Sequence, residues 1–93
     1  MIRTVRDKRV QQLMDGVVPR RFPTHLARAT EKKLKLLDMA ERIEDLLVPP
    51  SNRLERLRGD RKGLWSIRIN RQWRICFRWE TDSAYDVEII DYH

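Results

Sequence analysis

The chain has 93 residues, 41% hydrophobic and 37% charged, with a net charge of +6. That length supports one domain, 1–93, with a modest core and a largely ionic surface. A single cysteine excludes an internal disulfide, and one Cys with two separated His makes a metal site a poor prospect, so no metal or cofactor is expected. No apolar run approaches the roughly 18–20 residues of a membrane span, and the start leads into charge, not into the apolar core of a signal peptide.

Residues 2–5 alternate and are β-branched, which predicts a short edge strand. Asp7 is placed to cap a helix carrying Val10, Leu13, Met14 and Val17 at helical spacing, with Gly16 as the stop. Two prolines make 18–23 a loop. Thr24 is the expected N-cap of a second helix, whose apolar stripe holds Leu26, Ala27, Ala29, Thr30, Leu34, Leu37 and Met39. Arg28, Glu31, Lys32, Lys33 and Lys35 form its polar face, read as an ordinary solvated surface with phosphate contact as the alternative. His25 has no evident role. The helix is expected to end near 38–41, followed by a helical turn over 42–47, although an unbroken helix to Leu47 has compatible spacing. Pro49 and Pro50 force Val48 extended.

After a weak extended segment, 53–57, and a glycine-punctuated loop, 58–63, strict alternation begins. Trp65, Ile67 and Ile69 point one way, as do Trp73, Ile75, Phe77 and Trp79; Ser66, Arg68, Arg74, Cys76 and Arg78 point the other. Residues directly opposite in an antiparallel pair share a face, which selects a three-residue loop, Asn70-Arg71-Gln72. That register sets Arg68 against Arg74, a like-charge pair that a polyanion across the face would relieve. A turn at 81–83 leads to a last strand in which Tyr85, Val87 and Ile89 share a face. The order is strand, two helices, then three or four strands. It predicts an α+β fold, with helices burying Val10, Leu13, Leu34 and Leu37 on one face of a mostly antiparallel sheet against Ile67, Ile75, Phe77 and Ile89, and the other face open and basic.

Charge is concentrated where the hairpin lies. Residues 53–78 carry nine basic and two acidic side chains; residues 79–93 carry five acidic and no Lys or Arg. With a pI near 10.1, a nucleic-acid partner and an arginine face paired to the acidic last strand are both open readings.

The motifs Leu57-Arg58-Gly59-Asp60-Arg61-x-Gly63, Trp65 through Asn70, Gln72 through Phe77 and the ending Val87 through His93, with Pro49, Pro50, Asn52, Arg53 and Leu54, resemble HigB-type toxins. These belong to the RelE/ParE superfamily of toxin–antitoxin systems, and the resemblance is to the GraT-like branch. It implies a RelE-like fold with a sheet of four to five strands. It implies a cytoplasmic, ribosome-dependent mRNA interferase that enters the A site and cuts translated mRNA without metal. A cognate helix-turn-helix antitoxin would inhibit it and carry it to operator DNA. The matching positions implied as catalytic are His93, Asp91 and Tyr92 for proton chemistry and Arg74 and Arg58 for phosphate charge; Arg61, Arg68, Gln72 and Glu55 would contact RNA. The best-known members carry histidine at the position of Glu55. Glutamate can act as a base but cannot replace an imidazolium as acid. The alternative is a toxin of the same fold without nuclease activity, acting on the ribosome or on a protein such as gyrase.

Overall fold

The computed structural model describes residues 1–61 and 63–91, with Arg61 described by its backbone. Helix α1 spans Lys8–Met14 and α2 spans Thr24–Met39. Strands β1 (Glu55–Arg56), β2 (Leu64–Arg68), β3 (Trp73–Glu80) and β4 (Ser83–Asp91) form one antiparallel sheet in the order β1-β2-β3-β4. Residues 1–7 run beside β4, with parallel bridges from Ile2 to Ala84 and from Val5 to Val87.

Asp7 caps α1 as its position predicts, its Oδ1 accepting from the Arg9 backbone N–H at 3.0 Å. It does more than cap. Its carboxylate also pairs with the Arg9 guanidinium at 2.7 Å and accepts from the Ile89 N–H at 3.3 Å, tying α1 to β4. The N-cap of α2 is Pro23, not Thr24, which is the first helical residue. The fixed φ of proline sets up the helix entry with no side-chain cap. α2 stops at Met39 because Ala40 turns extended, and a separate 3-10 turn covers Ile43–Leu47. The unbroken helix does not form.

Val10, Leu13, Leu26, Leu34 and Leu37 pack on Ile67, Ile75, Phe77, Val87 and Ile89 in one core, with Trp65, Ile69, Trp73 and Trp79 at its rim. This includes the eight predicted core positions. The hairpin register is the predicted one: Trp65 faces Phe77, Ile67 faces Ile75 and Arg68 faces Arg74. The Ile69 N–H donates to the Trp73 carbonyl at 2.9 Å. Asn70 Oδ1 accepts from the N–H groups of Gln72 and Trp73, each at 2.8 Å, and this side-chain turn holds the three-residue loop.

Two expectations about the sheet fail. Tyr85 does not share a face with Val87 and Ile89. A bulge lies opposite Phe77, with Asp86 at φ 54°, so Tyr85 pairs with Arg78 on the face away from the helices and Ala84 turns into the core. One extra residue reverses the alternation. The far face is also not uniformly open: Ser66, Cys76, Leu57 and Arg74 are buried within it. Its other arginines, Arg68 and Arg78, are half-buried.

Candidate active site

The buried part of the far face is built around Arg74. Period-two alternation aims its side chain away from the helices, and Ser66 on the neighbouring strand shares that face. Arg74 Nε donates to Ser66 Oγ at 2.8 Å; Nη2 donates to the Arg53 carbonyl at 2.6 Å and to the Ser66 carbonyl at 3.3 Å. The Glu55 carboxylate, opposite Ser66 on β1, lies 3.7 Å from Nη2. A buried guanidinium must have such partners, because an unpaired charge there is costly. Arg74 is only 7% exposed, whereas the Glu55 side chain is about half exposed. The permanent charge is therefore at the floor and the titratable carboxylate at the surface.

The rim is the segment after β1. Arg58 is exposed there, and Gly59, at φ 68°, makes the tight turn that follows. Among the described residues Arg56, Leu57, Arg58 and Gly59 line a cleft of about 400 Å³. Arg68 is half-buried at the other margin, its Nε donating to the Asn70 carbonyl at 3.0 Å. Gln72 and Asp91 meet each other, Gln72 Nε2 donating to Asp91 Oδ2 at 3.1 Å. Asp91 pairs with Trp73 in the ladder, so it lies on the helix side of the sheet, opposite to Arg74. Of the expected site, Arg74 and Glu55 come together, Arg58 lines the cleft of the following segment, and Asp91 sits apart with Gln72. Tyr92, His93 and the Arg61 side chain lie outside the described residues.

Among the described residues, Glu80, Asp86 and Glu88 pair with Arg78 and Arg6. Arg78 bonds Glu80 at 2.6 Å and Asp86 at 3.5 Å, and its guanidinium lies 4.8 Å from the Tyr85 ring; Arg6 reaches Glu88 at 3.7 Å. These pairs hold Arg78 charged, its pKa raised chiefly by the Glu80 hydrogen bond. Lys33 is not a solvated surface lysine. Its Nζ donates to Asn52 Oδ1 at 2.6 Å, and burial lowers its pKa. Sequence reasoning missed Ser66, Asn52 and Lys33 as supports of the site. Ser66 carried a signal in its parity with Arg74 and Asn52 in its place in the Pro49–Leu54 motif; Lys33 carried none, because the segment it joins is remote in sequence.

Two helices on a four-stranded antiparallel sheet make an α+β fold of the RelE-like kind. A mutant of YafQ from E. coli has this fold, with a TM-score of 0.61 over 98% of this chain and 93% of its own at 12% identity. Residues 3–93 match the family model of the HigB-like toxin, the RelE-like toxin of type II toxin–antitoxin systems, and the chain belongs to that family. It is 41% identical over 75 residues to Toxin HigB-1 of Vibrio cholerae, covering 80% of this chain and 79% of that protein. It is 32% identical to Endoribonuclease HigB of Proteus vulgaris over the full length of both. These relatives carry the HigB name and specify no branch within it.

Proposed function

We propose that this protein is an endoribonuclease toxin that cuts mRNA on the translating ribosome without a metal ion, acting in the cytoplasm under control of a helix-turn-helix antitoxin. The observation that carries this is the Glu55–Arg74 pair, with the exposed Arg58 three residues further along the chain. Cleavage proceeds by attack of a ribose 2′-oxygen on the adjacent phosphorus. The 2′-OH gives up its proton, the P–O5′ bond breaks, and the leaving 5′-oxygen takes a proton. The products are a 2′,3′-cyclic phosphate and a 5′-hydroxyl.

Glu55, whose carboxylate lies 3.7 Å from Arg74 Nη2, is the base. Arg74 and Arg58 offset the charge that grows on the phosphorane, since arginine stays charged and fits phosphate. His93 is the acid, by the family resemblance, because imidazole titrates near neutral pH. Tyr92 is carried over with it. Asp91, held by Gln72, anchors the end of β4. Arg68 and Arg61 hold flanking phosphates. The ribosome supplies the substrate, mRNA in the A site, in a fixed conformation. Operator DNA is met only through the antitoxin complex.

A second reading has one observation behind it. Glu55 stands where well-known relatives have histidine, and the Nε and Nη2 of Arg74 are bound by the protein itself. A ribosome-binding toxin that stops translation without cutting fits these facts.

Mapping mRNA 5′ ends after induction separates the two. Cleavage in translated regions alone, lost with translation and in Glu55→Gln and His93→Ala, is the expected result. Arrest with intact mRNA favours the second reading. Intact mRNA with blocked gyrase overturns both.

A further inference from the structure

The carbonyl that receives Arg74 belongs to a residue in a strained conformation. Arg53 has φ 43° and ψ 55°, a left-handed geometry that disfavours any residue with a Cβ. Such a geometry persists when the neighbours determine it. Here the neighbour is Asn52, which is fully buried. Its Nδ2 donates to the carbonyls of Leu46 at 3.1 Å and Val48 at 3.3 Å, and its backbone N–H donates to the Pro49 carbonyl at 2.9 Å. Its Oδ1 takes the 2.6 Å bond from Lys33 on α2, and Lys33 also reaches Ser51 Oγ at 3.3 Å.

A chain of contacts thus runs from the helix layer to the site: Lys33 to Asn52, across one peptide unit to the Arg53 carbonyl, then to Arg74 Nη2 at 2.6 Å and on to Glu55 at 3.7 Å. We infer that Lys33 is a positioning residue for Arg74. It acts through Asn52, holding the Arg53 carbonyl at the place where the guanidinium needs it. A cationic donor suits this role. The Asn52 amide nitrogen is committed to two carbonyls, so its oxygen requires a donor from elsewhere, and a lysine reaching in from α2 keeps its stem packed along the helix. The Lys33 bonds to Asn52 and Ser51 give the Pro50–Asn52 turn a directional tie to α2, which fixes orientation where apolar contact sets only distance.

The consequence for RNA cleavage rests on the function proposed above; the geometric part does not. The test compares Lys33→Met, which keeps the stem and removes the donor, with Lys33→Arg, which keeps a cationic donor. The first measurement is the guanidinium Nε–H resonance of Arg74 in the ¹⁵N-labelled full chain, assigned by its loss in Arg74→Lys. The Nε–H of Arg9, bonded to Asp7, serves as the internal reference for the intact fold.

In Lys33→Met the Arg74 signal should shift and exchange with water about tenfold faster, with the Arg9 signal unmoved. Lys33→Arg should restore it. The second measurement is single-turnover cleavage on programmed ribosomes. Lys33→Met should lower the maximal rate by on the order of tenfold to a hundredfold with unchanged half-saturation, as expected when a reacting group is misplaced and binding is kept. An unmoved Arg74 signal in Lys33→Met overturns the inference, as does a change in which Arg9 and Arg74 loosen together. If the wild-type protein does not cut mRNA, the proposed function falls, and the resonance measurement still decides the inference.

Discussion

Arg68 and Arg74 stand directly opposite each other in the β2–β3 ladder, yet their guanidinium groups go separate ways. Arg68 bends back along its strand to the Asn70 carbonyl, and Arg74 reaches across to Ser66 and Arg53. The like-charge repulsion expected from the register is relieved inside the protein, before any polyanion arrives. The two arginines therefore answer differently to mutation. Arg68→Ala should change stability by no more than about 0.5 kcal/mol. It should also reduce the salt dependence of ribosome association by about one phosphate contact. Arg74→Lys keeps a positive charge but loses the fork, and should cost about 2 to 4 kcal/mol and abolish toxicity. Urea unfolding and salt titration of binding check the pair.

Ser66 is the support of Arg74 that can be removed with least change in shape. Ser66→Ala leaves Nε–H of a buried guanidinium without its 2.8 Å acceptor. The expected loss is about 1 to 3 kcal/mol, seen as a lower urea midpoint at unchanged slope. Cleavage should fall with it, because Arg74 loses one of the bonds that orient it.

At Glu55 the surface position and the nearby Arg74 set the chemistry. The side chain is about half exposed, so the ion pair contributes little, and Glu55→His should shift stability by less than about 1 kcal/mol. The new imidazole can still accept the 2′-OH proton, and an imidazole is the better matched base near neutral pH. Single-turnover cleavage near neutral pH should rise by about tenfold or more, with a new limb in the pH profile near pH 6.5, the ordinary value for histidine. An unchanged rate and profile would remove this position from the proton chemistry.

Asp7 makes stability depend on acid. Burial alone would raise its pKa, but the hydrogen bonds and charge of Arg9 and the N–H of Ile89 outweigh that and hold it below the usual 3.8. A carboxyl with a depressed folded-state pKa stabilises the fold at every pH above its unfolded value. The contribution disappears as pH falls through the folded value. Asp7→Asn should be less stable by about 1 to 2 kcal/mol at neutral pH, since asparagine still caps but cannot pair with Arg9. The wild type should lose its advantage as pH falls below about 4, so that the two urea midpoints converge in acid.

What the sequence determined by itself was whatever depends on local period and on paired parity. The alternation of 65–69 and 73–79 defined the two faces, and the requirement that cross-strand partners share a face selected the Asn70–Gln72 loop and the Arg68–Arg74 register. Helical spacing picked out Val10, Leu13, Leu34 and Leu37 as core, and Asp7 was recognisable as a cap. The motifs of 57–77 and 87–93 were enough to place the chain among HigB-type toxins.

Tertiary structure decided everything that joins segments distant in the chain. The bulge at Asp86 turned Tyr85 to the other face, because one extra residue in one strand is invisible to a period-two reading. Packing drew Arg53, Ser66 and Glu55 around Arg74 and closed the middle of a face expected to be open. Lys33 looked like a surface lysine until the 50–52 turn folded against it, since a buried Asn52 needs a donor that its own segment does not supply. Asp91 shared the motif with the site residues, but its ladder pairing with Trp73 put it across the sheet from Arg74.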